Sequence, residues 1–88
     1  MELKGKIIAV LPMKSGKSAK GDWKSQQYVL ETDEKDPKRL LFDVFGENKI
    51  NEFNIQKDEV VNVSFETRAE EHEGHWYGSN RAWNVTRD

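Results

Sequence analysis

A small closed all-β barrel, five strands with a short helix between strands 3 and 4, is predicted by three observations on this sequence. Apolar and polar residues alternate in short runs, turn residues separate those runs at the spacing of short strands, and one stretch carries helical spacing instead. With 88 residues the chain has room for one domain and one core. Five strands in that length are too few for a two-layer sandwich with deep faces. A barrel fills its interior with side chains and leaves no strand edge to protect.

The elements follow in order. Leu3 to Met13 is β-rich and gives way to Lys14-Ser15-Gly16-Lys17-Ser18-Ala19-Lys20-Gly21-Asp22, which has too few apolar residues to pack and reads as a loop. Trp23 to Thr32 reads as the second strand, with Tyr28, Leu30 and Thr32 on one face and Gln27, Val29 and Glu31 on the other. Asp33 to Pro37 is a charged turn, since Pro37 biases Asp36 away from helix. In the third strand Leu40, Phe42 and Val44 alternate with Leu41, Asp43 and Phe45, and Gly46 ends it. Glu47 to Phe53 is the helical stretch, with Ile50 and Phe53 on one side and Glu47 at the favourable end of the dipole. At about two turns it is not stable alone and must plug what the strands build. Val61, Val63 and Phe65 mark the fourth strand, Glu70 to Gly74 a turn, and His75 to Thr86 the fifth strand, with a bulge expected near Ser79 and Asn80.

Composition bounds the chemistry. The chain has no cysteine, which removes disulfides and thiolate metal sites, and its large aromatics supply core anchors in place of a covalent staple. The N-terminal run Ile7 to Leu11 follows Lys4 and Lys6 but is too short for a secretory signal, and Pro12 and Lys14 follow it at once. No run approaches a transmembrane length, so the expectation is a cytoplasmic protein with no membrane partner. The net charge of −2 hides a polarised chain. Residues 1–24 hold six lysines against Glu2 and Asp22, a net of +4, while residues 25–60 hold five basic and nine acidic side chains, a net of −4.

Several short motifs carry a resemblance. Tyr28-Val29-Leu30-Glu31-Thr32, Leu41-Phe42-Asp43-Val44-Phe45-Gly46 and Lys57-Asp58-Glu59-Val60-Val61-Asn62-Val63 resemble the second, third and fourth strands of the oligonucleotide/oligosaccharide-binding barrel, the OB-fold. Within it the chain resembles bacterial single-stranded-DNA-binding and primosomal proteins. Trp23 to Thr32, Val61 to Phe65 and Arg81-Ala82-Trp83 look closer still to a family of small uncharacterised bacterial OB-fold proteins, a domain of unknown function. The resemblance implies a nucleic-acid groove across strands two and three, flanked by Lys14 to Asp22 and by a second loop at about Ala69 to His75. The chain departs from that pattern in carrying Glu70, Glu71 and Glu73 in the second loop.

The candidate nucleic-acid-binding residues are Lys14, Lys17, Lys20 and Lys24 of the basic segment, Arg39 and Arg81 as planar cations, and the rings of Trp23, Phe45 and Trp76. Trp76 and Tyr77 sit on opposite faces of one strand, so one of them points outward, and Phe45 shares the parity of Leu41. Phe42, Phe53, Phe65 and Tyr28 are assigned to the core. For Trp83 the family match and its spacing to Val85 suggest a structural ring.

Other chemistries lack support. Gly16-Lys17-Ser18 resembles the end of a phosphate-binding P-loop, but Leu11 stands at the upstream glycine position and a strand follows where a helix is needed. His72 and His75 among the glutamates of one flexible turn make at most an opportunistic metal site. No nucleophile elbow surrounds any serine, so no catalytic residue, cofactor or metal is expected. The functional expectation is a non-enzymatic module that binds single-stranded DNA or RNA with little sequence preference. The alternative is a protein-interaction or assembly module, docking a partner or a second copy, which the net acidity favours.

Overall fold

The structure is a computed structural model that describes residues 1–19 and 21–87, leaving aside the side chains of Ser18 and His72. Its elements are β1 (Glu2–Val10), β2 (Lys14–Ser18), β3 (Gly21–Glu31), β4 (Arg39–Phe45), α1 (Glu47–Phe53), β5 (Val60–His72) and β6 (His75–Thr86). The hydrogen-bonded order is β1-β5-β6-β4-β3-β2, and β1 also pairs with β3. That extra pairing closes a ring of β1, β3, β4, β6 and β5, with β2 outside it as an arm on β3. The ring is the five-stranded OB-fold barrel, and α1 lies between its third and fourth members.

Closure rests on β1 serving two partners. Its Glu2–Lys6 half pairs with β5, and Lys6 to Val10 pairs with β3 across an irregularity between Ile7 and Ala9. The strand passes from one neighbour to the other at Lys6, which faces both Val60 and Glu31, and at the adjacent Gly5 a Cβ would collide with the Glu31 carbonyl oxygen and lie 2.6 Å from Leu30 Cδ2. No side chain fits that approach, so glycine is required there. On the far side, β4 and β6 run parallel and share one register pair, Asp43 with Arg81. Side chains supplement this thin seam: Asn80 Nδ2 donates to the Leu41 carbonyl at 2.9 Å, and Arg81 Nε donates to Asp43 Oδ2 at 3.3 Å.

Inside the ring Ile7, Tyr28, Leu30, Phe42, Val44, Val61 and Val63 are fully buried, and Phe65, Ala82 and Val85 extend the same core. The expected inward faces of the second, third and fourth strands are the observed ones. Tyr28 and Phe42, opposite each other on β3 and β4, stack at 5.4 Å. Burial pushes the Tyr28 phenol pKa up, and its hydroxyl donates to Gln26 Oε1 at 3.0 Å. The helix has the predicted bounds and buries Ile50 and Phe53 against the core. Its C-terminal carbonyls are met from the end of the chain, where Arg87 Nη2 donates to the Phe53 carbonyl at 2.5 Å and to that of Asn54 at 3.3 Å. The same guanidinium grips Glu59 with Nε to Oε2 at 2.6 Å and Nη2 to Oε1 at 3.0 Å. Arg87 thereby ties α1, the approach to β5 and the end of β6 together.

Four expectations are corrected. Where a loop was expected from Lys14 to Asp22, the described residues form strands, because β2 pairs residue for residue with β3 from Lys14–Ser25 to Ser18–Gly21. Their polar side chains need no core, since both faces of a projecting ribbon meet water. The β5–β6 pairing likewise runs on to His72 and His75, beyond the expected end of the fourth strand, and Glu73 and Gly74 close it in a two-residue turn with positive φ at both positions, the type I′ geometry. The bulge falls at Trp83 rather than at Ser79 and Asn80, for Phe65 pairs with Ala82 and Ser64 with Asn84. That extra residue breaks the parity between Trp83 and Val85. Val85 points inward while Trp83 is 56% exposed, so Trp83 is not the core ring that its spacing suggested.

With two arms the Cα radius of gyration is 13.8 Å, against about 12 Å for a rounded domain of this length. Among the described residues no helix is long and apolar enough to cross a membrane.

Two outcomes follow for stability. Phe65→Ala should cost roughly 3–5 kcal/mol in denaturant unfolding, because it empties a buried ring site in a small core. The Arg87 pairing holds the Glu59 carboxyl below its ordinary range. Its stabilisation is therefore present above the unfolded glutamate value and lost as pH falls through the lower folded value. Arg87→Ala should lower the melting temperature at neutral pH and flatten the acid limb of stability against pH; an unchanged acid limb would show that the clamp does not form.

Candidate nucleic-acid interface

The ladder registers determine which sequence candidates share a surface, since cross-strand partners point to the same side. Ser25 pairs with Phe45, and Trp23 lies two residues along the same face of β3. Trp23 and Phe45 accordingly stack at 6.2 Å with a 22° angle between planes. Behind Trp23 on β2 stands Gly16, its register partner, where a Cβ would meet the indole ring at 2.6 Å. The missing side chain lets the indole lie flat on the arm. Lys14 shares this face, being two residues from Gly16 and opposite Ser25.

From β6, Arg81 closes over the other ring. Its guanidinium carbon is 4.8 Å from the Phe45 centroid, and Asp43 holds its Nε. Arg81 therefore ties the barrel seam and also lays a cation on an aromatic face, an arrangement worth about 0.5–1 kcal/mol where exposed. Phe45 keeps 46% of its surface exposed beneath these partners. Beside them opens a cleft of about 330 Å³ over Ala82, walled by Phe45 and Trp83, with Lys49, Glu66, Arg68 and Arg81 around it. Lys49 leans over Phe53 at 5.6 Å and pairs with Glu52 at 3.8 Å.

Further out, the regular ladder from Phe65–Ala82 to His72–His75 sets the faces of the β5–β6 arm. Arg81, Ser79 and Tyr77 share one side with Glu66, Arg68 and Glu70, whereas Trp76 shares the other with Gly78, Ala69 and Glu71. Both rings are exposed, Trp76 by 69% and Tyr77 by 59%, because the arm projects past the barrel and has no inner side. Tyr77 is the ring in line with Arg81. A continuous surface thus runs from Lys14 and Trp23 through Phe45 and Arg81 to Arg68 and Tyr77.

The remaining candidates lie elsewhere. Lys17 is opposite Asp22 on the reverse face of the β2 arm, with Ser15 and Lys24. Lys24 Nζ pairs with Glu47 at 3.4 Å. Arg39 is six residues from Phe45 along β4, about 20 Å away, and donates from Nε to Glu31 Oε2 at 3.0 Å. Lys20 lies outside the described residues. Sequence reasoning missed Lys49, Arg68, Tyr77 and Trp83 as groove residues. Parity could have found Arg68 and Tyr77 had the long β5–β6 register been recognised. Trp83 required the bulge to be known.

A larger cleft, about 670 Å³, lies at the far end of β3 between the first half of β1 and the β3–β4 connection. There Glu2, Glu31, Asp33 and Glu34 face Lys4 and Lys6, with no aromatic ring in the lining. Its mixed charge suits no single ion type, so the smaller ring-lined cleft is the candidate site.

Comparisons with known proteins agree with the barrel fold. The profile of a family described as Domain of unknown function (DUF3127) matches residues 2–86. Comparison with curated protein sequences finds no match. Among solved structures, the single-stranded-DNA-binding (SSB) domain of a Synechococcus sp. protein superposes with a TM-score of 0.68 at 10% identity, covering 99% of this chain and 92% of the other. A small single-stranded DNA-binding protein from Streptomyces coelicolor superposes with a TM-score of 0.52 at 13% identity, covering 100% of this chain and 92% of the other. At such identities the likeness establishes the shared fold.

The seat of the indole is directly testable. With Trp76 and Trp83 replaced by Phe, Gly16→Ala should lift Trp23 off the arm, shifting its emission to the red and costing roughly 1–3 kcal/mol of stability. An unchanged spectrum would mean that Trp23 does not rest on Gly16.

Proposed function

Because this chain belongs to the DUF3127 family, whose description carries no activity, we propose from its groove that it binds single-stranded nucleic acid with little overall sequence preference. The observation that carries the reading is the outward-facing Trp23–Phe45 stack capped by Arg81 between two projecting arms. Each base has a π-face, so a ring platform accepts any base and contributes about 1–3 kcal/mol per stacked base. A duplex hides those faces, which makes the single strand the matching ligand. Lys14 and Arg68 at the two ends of the surface supply phosphate contacts. Rings and fixed cations of this kind hold a ligand rather than transform it, so the role is binding, not catalysis. The fold shared with an SSB domain and with a small single-stranded DNA-binding protein supports the same reading.

A second reading, a docking surface for a protein partner or another copy of the chain, is favoured by Trp76, which is 69% exposed on the reverse face of the acidic arm. Light scattering on the isolated protein separates the self-association part of that reading from the first.

Titration of labelled oligonucleotides at several salt concentrations tests the leading proposal. Affinity should fall with salt at a log–log slope of about −0.7 for each phosphate contacted. Lys14→Glu should weaken binding and reduce that slope, Lys17→Glu should matter less because it lies on the reverse face, and Trp23→Ala should weaken binding at every salt. No association with DNA or RNA at low salt would overturn the proposal.

A further inference from the structure

Among the described residues, one acid of this groove stands without a partner. Glu66 lies directly across the β5–β6 ladder from Arg81, the pairing in which opposite charges usually meet. Arg81 turns elsewhere: its Nε goes to Asp43 at 3.3 Å and its guanidinium lies over Phe45 at 4.8 Å. The Glu66 side chain lines the cleft between Phe45 and Trp83 and forms no ion pair or hydrogen bond among the described residues. Arg68, two residues on and lining the same cleft, is likewise without a side-chain partner among them.

A carboxylate in a phosphate-binding groove weakens backbone binding, yet it is a strong double acceptor for N–H groups on a base edge. We propose that Glu66 reads one base of the bound strand, the cleft taking a guanine whose N1–H and N2–H donate to the two carboxylate oxygens. The inference rests on the binding function proposed above and adds a preference at one position to an otherwise indifferent surface. Guanine is singled out by donor count. Its Watson–Crick edge presents two adjacent N–H donors, matching both oxygens of a carboxylate. Cytosine and adenine each present one amino group beside a ring nitrogen acceptor, and that acceptor would face carboxylate oxygen. Thymine and uracil present one N–H between two carbonyls, the poorest match. The cleft, about 330 Å³, is at the small end of ligand sites, which suits one base rather than a run of them. Trp83 offers a face to stack on, Phe45 closes the opposite wall, and Arg68 and Lys49 at the rim offset the acid's effect on the flanking phosphates.

The test compares a short oligo-dT strand with the same strand carrying one dG, by fluorescence anisotropy on the intact protein. The single dG should tighten binding about tenfold, the discrimination of a good bidentate contact. Replacing that dG by inosine, which lacks the N2 amino group, should remove most of the gain. Glu66→Gln should abolish the preference while oligo-dT binding persists or strengthens, since a repulsive charge is gone; Glu66 is exposed, and that oligo-dT affinity verifies that the variant folds. Equal affinity for the two strands in the wild type, or a preference that survives Glu66→Gln, would overturn the inference while leaving the groove intact. Failure of every strand to bind would instead overturn the functional reading beneath it.

Discussion

The molecule depends on closing a sheet whose last seam is almost without backbone pairing. Four of the five joints in the ring are antiparallel ladders several residues long, whereas β4 and β6 share the single pair Asp43–Arg81. Side chains reinforce what the backbone leaves thin: the Asn80 amide on the Leu41 carbonyl, and Arg81 on both Asp43 and Phe45. The opposite side of the ring makes the complementary demand, that one strand serve two neighbours, and Gly5 meets it by leaving room for the Glu31 carbonyl. A barrel closed this way keeps its polar seam groups on the outer surface. The residues that hold it shut therefore also line the proposed groove.

That overlap explains how the groove is preorganised. Arg81 cannot swing freely, being held by Asp43 and by the ring beneath it, so little side-chain entropy remains to be lost on binding. Trp23 is likewise seated, against Gly16 behind and Phe45 beside. The two arms carry unlike charge, lysines on β2 and glutamates along the outer half of β5 and its turn. The net charge of −2 averages them and says little about either surface.

Much of the fold was legible in the sequence because burial writes a period. Tyr28-Leu30-Thr32, Phe42-Val44 and Val61-Val63-Phe65 alternate strictly, and each inward assignment agrees with the structure, as do Ile50 and Phe53 on the helix. The arms were not legible for the same reason. Lys14 to Lys17 and Glu66 to Glu71 belong to strands that project from the barrel and bury no side chain in its core, so no hydrophobic alternation marks them. The bulge at Trp83 was invisible because an extra residue shifts the phase of everything before it without changing composition. In the site, Trp23 and Phe45 could be named from their neighbours and parity, and Arg81 from its type. That the three meet, while Arg39 and Lys24 are engaged elsewhere by Glu31 and Glu47, is set by register and needed coordinates.

The proposed path of a single strand follows one face, from the β2 arm across Phe45 and the β4–β6 seam to the β5–β6 arm. Mapping backbone amide and indole N–H chemical shifts during titration with a mixed-sequence oligonucleotide tests it most directly. The largest changes are expected at Gly16, Trp23, Phe45, Arg81 and Tyr77, with the Trp23 and Trp83 indoles moving more than that of Trp76. Changes confined to the cleft of Glu2 to Lys6 and Asp33 to Pro37, or absent throughout, would contradict it.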